Sequence, residues 1–325
     1  MLARLLPDKF ILWLLGAVVL ATLLPVRGGL AQAVDGLTLA AIFSLFFLHG
    51  VRLPREALLS GVTDWRLHVA ILASTFVAFP LIGLALSGLL PGLLSPELWT
   101  GILFLCALPS TVQSSIAYTS MAGGNVAGAV AAAAFSNLLG VSLTPLLVSL
   151  LLEAQGAALS LSGIGKIAAL LFLPFLLGHA LRPLLLPLVA DRPRLTTLVD
   201  KGTILLAVYG AFSAAVVEGI WSRVPPAGLG LLTALCTAIL ALILAFTWTI
   251  GRLAGFNRES QAAILFCGSV KSLASGAPMA RILFPGAAAG MVILPIMLFH
   301  TIQLIVCAWI AARMAAQNRP LTRST

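Results

Sequence analysis

Runs of about twenty apolar residues recur along this chain, divided by short stretches that hold most of its charged residues. A run of that length spans the hydrocarbon core of a bilayer as one helix, with its backbone polar groups satisfied internally. This pattern confines the chain to an all-α integral membrane fold. The expected spans are residues 10–25, 34–51, 66–90, 97–121, 125–152, 164–182, 197–217, 227–251, 260–281 and 286–313. Hydrophobic residues make up 60% of the 325 and charged residues 9%, where soluble domains run to about 45–50% and about 25%. A water-soluble globule is excluded, and ten spans leave no room for a large soluble domain.

Alternate loops assigned to alternate sides give an independent check on the count. One side collects Arg52, Arg66, Arg182, Lys201, Arg252 and Arg313, with Arg4, Lys9, Arg55, Arg192, Arg194, Arg258, Arg319 and Arg323; the other holds Arg27, Lys166, Arg223 and Arg281. Positive residues mark the cytoplasmic side. Both termini therefore belong in the cytoplasm of a multi-pass protein of the inner (plasma) membrane. The basic residues sit singly, so the net charge of +9 reports topology and no nucleic-acid partner is expected. Arg4 and Lys9 followed by an apolar run and Ala31-Gln32-Ala33 imitate a signal peptide. The even ledger favours a retained first helix. Cys106, Cys236, Cys267 and Cys307 show no metal spacing and are expected to pack. The six tryptophans are expected mostly at the interfaces.

All ten acidic residues fall at span ends or in loops, which removes the usual intramembrane proton carrier and the strongest oxygen ligand for a cation. No H-E-x-x-H, G-x-S-x-G or nucleotide-binding loop is present. An enzyme is not expected, no cofactor is implied, and energy for transport would come from a gradient.

The fourth and ninth spans do not read as continuous helices. Ile102-Leu103-Phe104 runs into Pro109-Ser110-Thr111-Val112-Gln113-Ser114-Ser115, and Ile264-Leu265-Phe266 into Cys267-Gly268-Ser269-Val270-Lys271-Ser272, then Ser275 and Pro278. Aligned without gaps, Val112-Gln113-Ser114 pairs with Val270-Lys271-Ser272, Met121-Ala122 with Met279-Ala280, and Gly128-Ala129 with Gly286-Ala287. A fourth and a ninth span cross in opposite directions, so the expectation is two inverted five-helix repeats, residues 1–155 and 156–325. Interrupted segments at matching places in two halves point to a transporter's binding site. Broken helices free backbone groups that need polar partners. Ser110, Thr111, Gln113, Ser114, Ser115, Ser269, Ser272 and Ser275 supply them.

Gly124-Asn125-Val126-Ala127, then Ser136-Asn137 and Leu143-Thr144-Pro145, with Pro80 and Pro109, resemble the bile acid:sodium symporter family, in its sodium/bile acid cotransporter 7-like (SBF-like) branch. The resemblance covers essentially the whole chain. It implies ten helices, with helices 3–5 and 8–10 forming a core, helices 1, 2, 6 and 7 a panel, and helices 4 and 9 broken and crossing. It also implies a substrate crevice between core and panel, alternating access, and binding roles for Asn125, Ser136 and Asn137.

The departures matter as much. Where sodium-coupled members carry Gln five residues before the third-helix proline, this chain has Thr75. Where they carry Glu and then Gln on the ninth helix it has Cys267 and Lys271, and two fifth-helix hydroxyl ligands fall on Ala129 and Ala133. These changes argue against the usual sodium sites and against a bound metal. A mid-span lysine costs about 2.5–3.5 kcal/mol on insertion scales. Its ammonium is expected to take the place of the cation, held by Gln113, Ser114, Ser115 and freed carbonyls, or to carry a proton, or to serve as a fixed charge stabilising the crossing. The positive charge and inward helix N-termini suit a small organic anion. His300 is expected to be buried against Gln303. A second functional reading is a regulator of ion (calcium) homeostasis that carries no solute.

Overall fold

The computed structural model describes residues 9–53, 64–154, 161–284 and 286–317, with the side chains of Lys9, residues 161–170, Trp221 and Arg223 outside that description. The ledger residues Arg4, Arg55, Arg319 and Arg323, and the side chains of Lys9, Lys166 and Arg223, thus lie outside the described residues. Within them the chain is helical apart from short connections: α1 (Lys9–Leu23), α2 (Gly28–Arg52), α3 (Trp65–Leu89), α4 (Pro96–Ala107), α5 (Gln113–Met121), α6 (Val126–Glu153), α7 (Leu161–Ala180), α8 (Arg182–Ala190), α9 (Pro193–Val217), α10 (Ile220–Arg223), α11 (Pro226–Leu253), α12 (Arg258–Ser269), α13 (Leu273–Leu283) and α14 (Ala288–Gln317).

Helix starts follow from local chemistry. Ser95 precedes Pro96 and its side chain accepts from Leu98 N; Asn125 accepts from Gly128 N, Asn257 from Ser260 N and Ser272 from Ser275 N. Each side-chain oxygen satisfies an amide with no partner inside the helix.

Seven segments are long and apolar enough to cross a membrane: α2, α3, α6, α9, α11, α14 and the stretch Arg258–Leu283 that contains α12 and α13. The protein is a multi-pass membrane protein. Three of the ten expected spans fall short of that test for separate reasons. Helix α1 has 15 residues, roughly 22 Å of rise. The fourth span is divided between α4 and α5. The sixth bends: Leu171–Ala180 and Arg182–Ala190 meet at 88°. Helix α8, with prolines at 183 and 187 and no buried residue, lies on the outside with Leu184 72% exposed. The expected spans 164–182 and 197–217 place this stretch between them, outside any helix.

Packing divides the bundle into two groups. Helix α2 packs on α7 and α9, and α1 on α9; α3, α4, α5 and α6 pack among α11, α12 and α14. The groups meet where α9 lies on α13 and α14, and where α6 lies on α7. Small residues set the closest approaches. A Cβ on Gly50 would overlap the Phe175 carbonyl, and one on Gly178 the Phe47 carbonyl, so α2 and α7 meet backbone to backbone. Arg258–Leu283 is 94% buried in its span-length window, surrounded by protein rather than lipid. All four cysteines are buried and unpaired with one another. Trp13, Trp65, Trp248 and Trp309 are exposed, whereas Trp99 is buried and donates to Pro91 O at 3.2 Å.

Candidate binding site around Lys271

Pro109 ends α4 because it has no N–H to continue the ladder. Leu108 turns extended (φ −69°, ψ 153°) and its N–H bonds Leu105 O. The carbonyls of Cys106, Ala107 and Leu108 are thereby released from the helix. Ala107 O accepts from Thr144 Oγ1 at 2.9 Å. The amide of Ser110, which would have capped Cys106 O, donates instead to Ser136 Oγ at 2.9 Å. Between α12 and α13, Val270 is extended and Ser272 caps the next helix. The two breaks touch directly: Ser272 N donates to Pro109 O at 2.9 Å, and Ser110 Oγ to Cys267 O at 2.7 Å.

A third free carbonyl comes from α3. Residues Ser74–Ala78 form a π-turn in which Phe79 N–H reaches back to Ser74 O. Thr75 O has lost that amide, and the next one along belongs to Pro80, which has none. One proline thus exposes the Thr75 carbonyl toward the interior.

Lys271 fills the space these carbonyls surround. Its Nζ donates to Thr75 O and Cys106 O at 2.8 Å each and to Leu108 O at 2.6 Å. The Phe79 ring lies 4.1 Å away, centroid to nitrogen. The side chain is fully buried. An ammonium has three protons to donate, and here they meet three acceptors and the negative face of a ring. Its backbone is held as firmly: Lys271 N donates to Gln303 Oε1, and Gln303 Nε2 to Lys271 O, both at 2.8 Å. Gln303 also meets His300 Nδ1 at 2.9 Å, so the expected His300–Gln303 contact is present and joins this network.

The expected site residues divide sharply. Thr75 reaches the ammonium through its backbone, while its hydroxyl bonds Ile71 O. Ser110, Ser136 and Asn137 form the frame of the first break, with Asn137 Nδ2 on Ser110 O at 2.9 Å. Ser272 and Ser275 join the second break to it, since Ser275 Oγ donates to Asn137 Oδ1 at 3.0 Å. Ser269 bonds Leu265 O within its own helix. Asn125 caps α6 and its amide donates to Glu259 O, away from the ammonium. The expectation that Gln113, Ser114 and Ser115 hold the ammonium is corrected: Ser114 meets Thr111 Oγ1 at 2.7 Å, Ser115 bonds Thr111 O, and Gln113 is exposed. Freed main-chain oxygens outcompete these hydroxyls because Ser and Thr on a helix turn back to their own carbonyls. Sequence reasoning missed the carbonyls of Cys106 and Leu108, the Phe79 ring, and the role of Gln303 toward Lys271. The signals that carry them are the two prolines, each of which leaves carbonyls without amides.

A cage of carbonyl oxygens is the kind of site that replaces the hydration shell of a bare cation. Val112 caps α5 without any side-chain bond and, like Gln113, is exposed. The first amides of α5 therefore start beside open space. Among the described residues no three His, Cys, Asp or Glu side chains come together as a metal site.

Residues 8–316 match the SBF-like CPA transporter family. An uncharacterized protein of Pseudomonas aeruginosa is 52% identical over 97% of this chain and 95% of its own length. YfeH of Escherichia coli, named provisionally as a symporter, is 47% identical over 97% and 95%. Sodium/bile acid cotransporter 7 of Danio rerio is 27% identical over 94% and 93%. With the match spanning both interrupted segments and every packing group described above, the chain belongs to the SBF-like CPA transporter family, whose members are membrane transporters.

Proposed function

We propose that this protein is a secondary transporter that carries a small organic anion by alternating access, with the Lys271 ammonium standing in for the coupling cation. In this reading the chain crosses the membrane ten times, in two inverted repeats (1–155 and 156–325), with both termini in the cytoplasm and α4–α5 and α12–α13 as the broken, crossing pair. The two packing groups play panel and core. The names of the relatives, a symporter and a sodium/bile acid cotransporter, favour a carrier of solutes.

The observation that carries the proposal is the carbonyl cage. Three oxygens at 2.6–2.8 Å match the three donors of an ammonium and leave no donor spare, which favours a permanent charge over a proton that comes and goes. A tethered cation would hold the crossing assembled without a sodium ion and project positive potential toward the uncapped start of α5. That helix terminus, with Gln113 exposed beside it, supports binding of an anionic group. The fit is to a carboxylate or sulfonate, with an apolar body against the bundle.

Uptake of labelled taurocholate into proteoliposomes tests this. Flux is expected to be indifferent to a sodium gradient and lost in Lys271→Met. Undiminished flux in that variant overturns the role of Lys271; strict sodium dependence overturns the stand-in. Absence of any flux in the wild type, across taurocholate and a panel of small carboxylates, would leave a regulator as the better reading.

A further inference from the structure

At the end of the bundle where α2 begins and α9 and α13 finish, Arg281 of α13 pairs with Asp35 of α2. The pair joins the two packing groups. By contrast, the bidentate pair of Arg52 with Asp200 (2.7 and 3.0 Å), with His49 beside it, lies wholly between α2 and α9 of one group. The Arg281–Asp35 partners are unequal: the arginine side chain is 8% exposed and the aspartate 55%.

Arg281 is also incompletely satisfied. Its Nε is buried without a partner, although a guanidinium offers five donors. Helix α9 approaches it at Gly210, where a Cβ would lie 3.6 Å from Nη2. One turn further along that helix, Ser213 is fully buried and its Oγ likewise has no partner. Residues three apart share a helix face, so Gly210 and Ser213 point the same way. A buried donor without an acceptor is destabilising, and a simple structural pair gives no reason for two of them. Among the described residues, other charges toward this end are Glu218, whose Oε1 lies 4.0 Å from where a Gly286 Cβ would sit, and exposed Arg27, Glu97 and Glu153.

We propose that Arg281 and Ser213 form a subsite for the carboxylate or sulfonate group of an organic anion, with Asp35 as the built-in occupant that the anion displaces. The inference rests on the anion-transport reading above. Displacement replaces the direct Asp35–Arg281 link between the two groups with one made through the anion, from Arg281 on α13 to Ser213 on α9, so binding changes how the groups are tied at this end. The geometry suits it: planar guanidinium groups take oxyanions in a two-pronged fashion, and the half-exposed side of Asp35 gives an entering anion its approach.

The experiment follows thermal stabilisation of the detergent-solubilised protein by benzoate and benzenesulfonate, with benzamide as the neutral control. Asp35→Asn removes the competing carboxylate, and half-maximal stabilisation is expected at about tenfold lower anion concentration than in wild type, the effect of one charge-assisted hydrogen bond. The response should vanish in Asp35→Asn/Arg281→Gln and weaken in Asp35→Asn/Ser213→Ala. The charge-swapped Asp35→Arg/Arg281→Asp protein should melt like wild type yet ignore both anions, which separates an anion site from a mere latch. Equal responses in wild type and Asp35→Asn, or a response that survives loss of Arg281 or the swap, overturn the subsite. Taurocholate flux is read in parallel. Flux that Arg281→Gln leaves intact overturns the subsite and keeps the transporter; an intact Asp35→Asn anion response without flux in any preparation overturns the transporter and keeps the subsite.

Discussion

Replacing Lys271 with alanine removes four heavy atoms and the charge while leaving the cage built. The Thr75, Cys106 and Leu108 carbonyls then lose their only described donor. At about 1–3 kcal/mol for each buried group left unsatisfied, the gross loss is roughly 3–9 kcal/mol. Relief from burying a lysine, about 2.5–3.5 kcal/mol, offsets part of it. The variant should therefore melt at lower temperature by an amount equal to a few kcal/mol, a large share of a total stability of about 5–15 kcal/mol. The informative step is refilling. A small cation that enters the hole with a dissociation constant of about 10 mM would, at about 100 mM, restore about 1.4 kcal/mol, or roughly 3 °C of melting temperature. The assay compares sodium, potassium, ammonium and N-methylglucamine chlorides at equal ionic strength in wild type and Lys271→Ala. Wild type should respond to none of them specifically, while the variant should gain from at least one small cation and not from N-methylglucamine. A variant as stable as wild type, or one blind to the cation's identity, would refute the reasoning that the ammonium occupies a cation site.

Pro80→Ala should let the π-turn relax to a regular helix, returning Phe79 N–H to Thr75 O and withdrawing that oxygen from the ammonium; the expected cost is about 1–3 kcal/mol in melting together with impaired taurocholate uptake. Gln303→Ala leaves both the N–H and the C=O of buried Lys271 unpaired, and thermal unfolding should register a loss of roughly 2–6 kcal/mol, with Gln303→Glu recovering only the acceptor half. Gly50→Ala drives a methyl group into the Phe175 carbonyl, so α2 and α7 must separate; destabilisation of about 1–3 kcal/mol is expected, and Gly88→Ala, with open space around it, should be silent in the same assay. Ser136→Ala orphans the buried Ser110 amide and should cost about 1–3 kcal/mol in the same measurement.

Much of the fold was legible because lipid leaves a chain few choices. Apolar length reports a span, and proline with clustered hydroxyls reports an interruption; the helix before Pro109 ends at Ala107 and the one before Val270 at Ser269. Span length alone was a weaker guide where a helix is short or cut, as in α1, α4 and α5, and it gave no hint of α8, whose apolar residues lie along the outside. At the site, Lys271 stood out because an ammonium in an apolar segment demands compensation. Gln113, Ser114 and Ser115 of the other interrupted segment were the candidates for that role; both serines are tied to Thr111 and Gln113 is exposed.

Sequence alone placed a lysine in an apolar segment where its charge demands compensation, and marked an interruption beside Pro109; the oxygens that Pro80 and Pro109 free were not read from it. Only the tertiary structure decided which oxygens meet the charge. They belong to residues 163, 165 and 196 positions away, and they act through the backbone. A carbonyl is the same on cysteine, leucine or threonine, so no side-chain pattern could have announced them; the choice was made by which segments pack around Lys271.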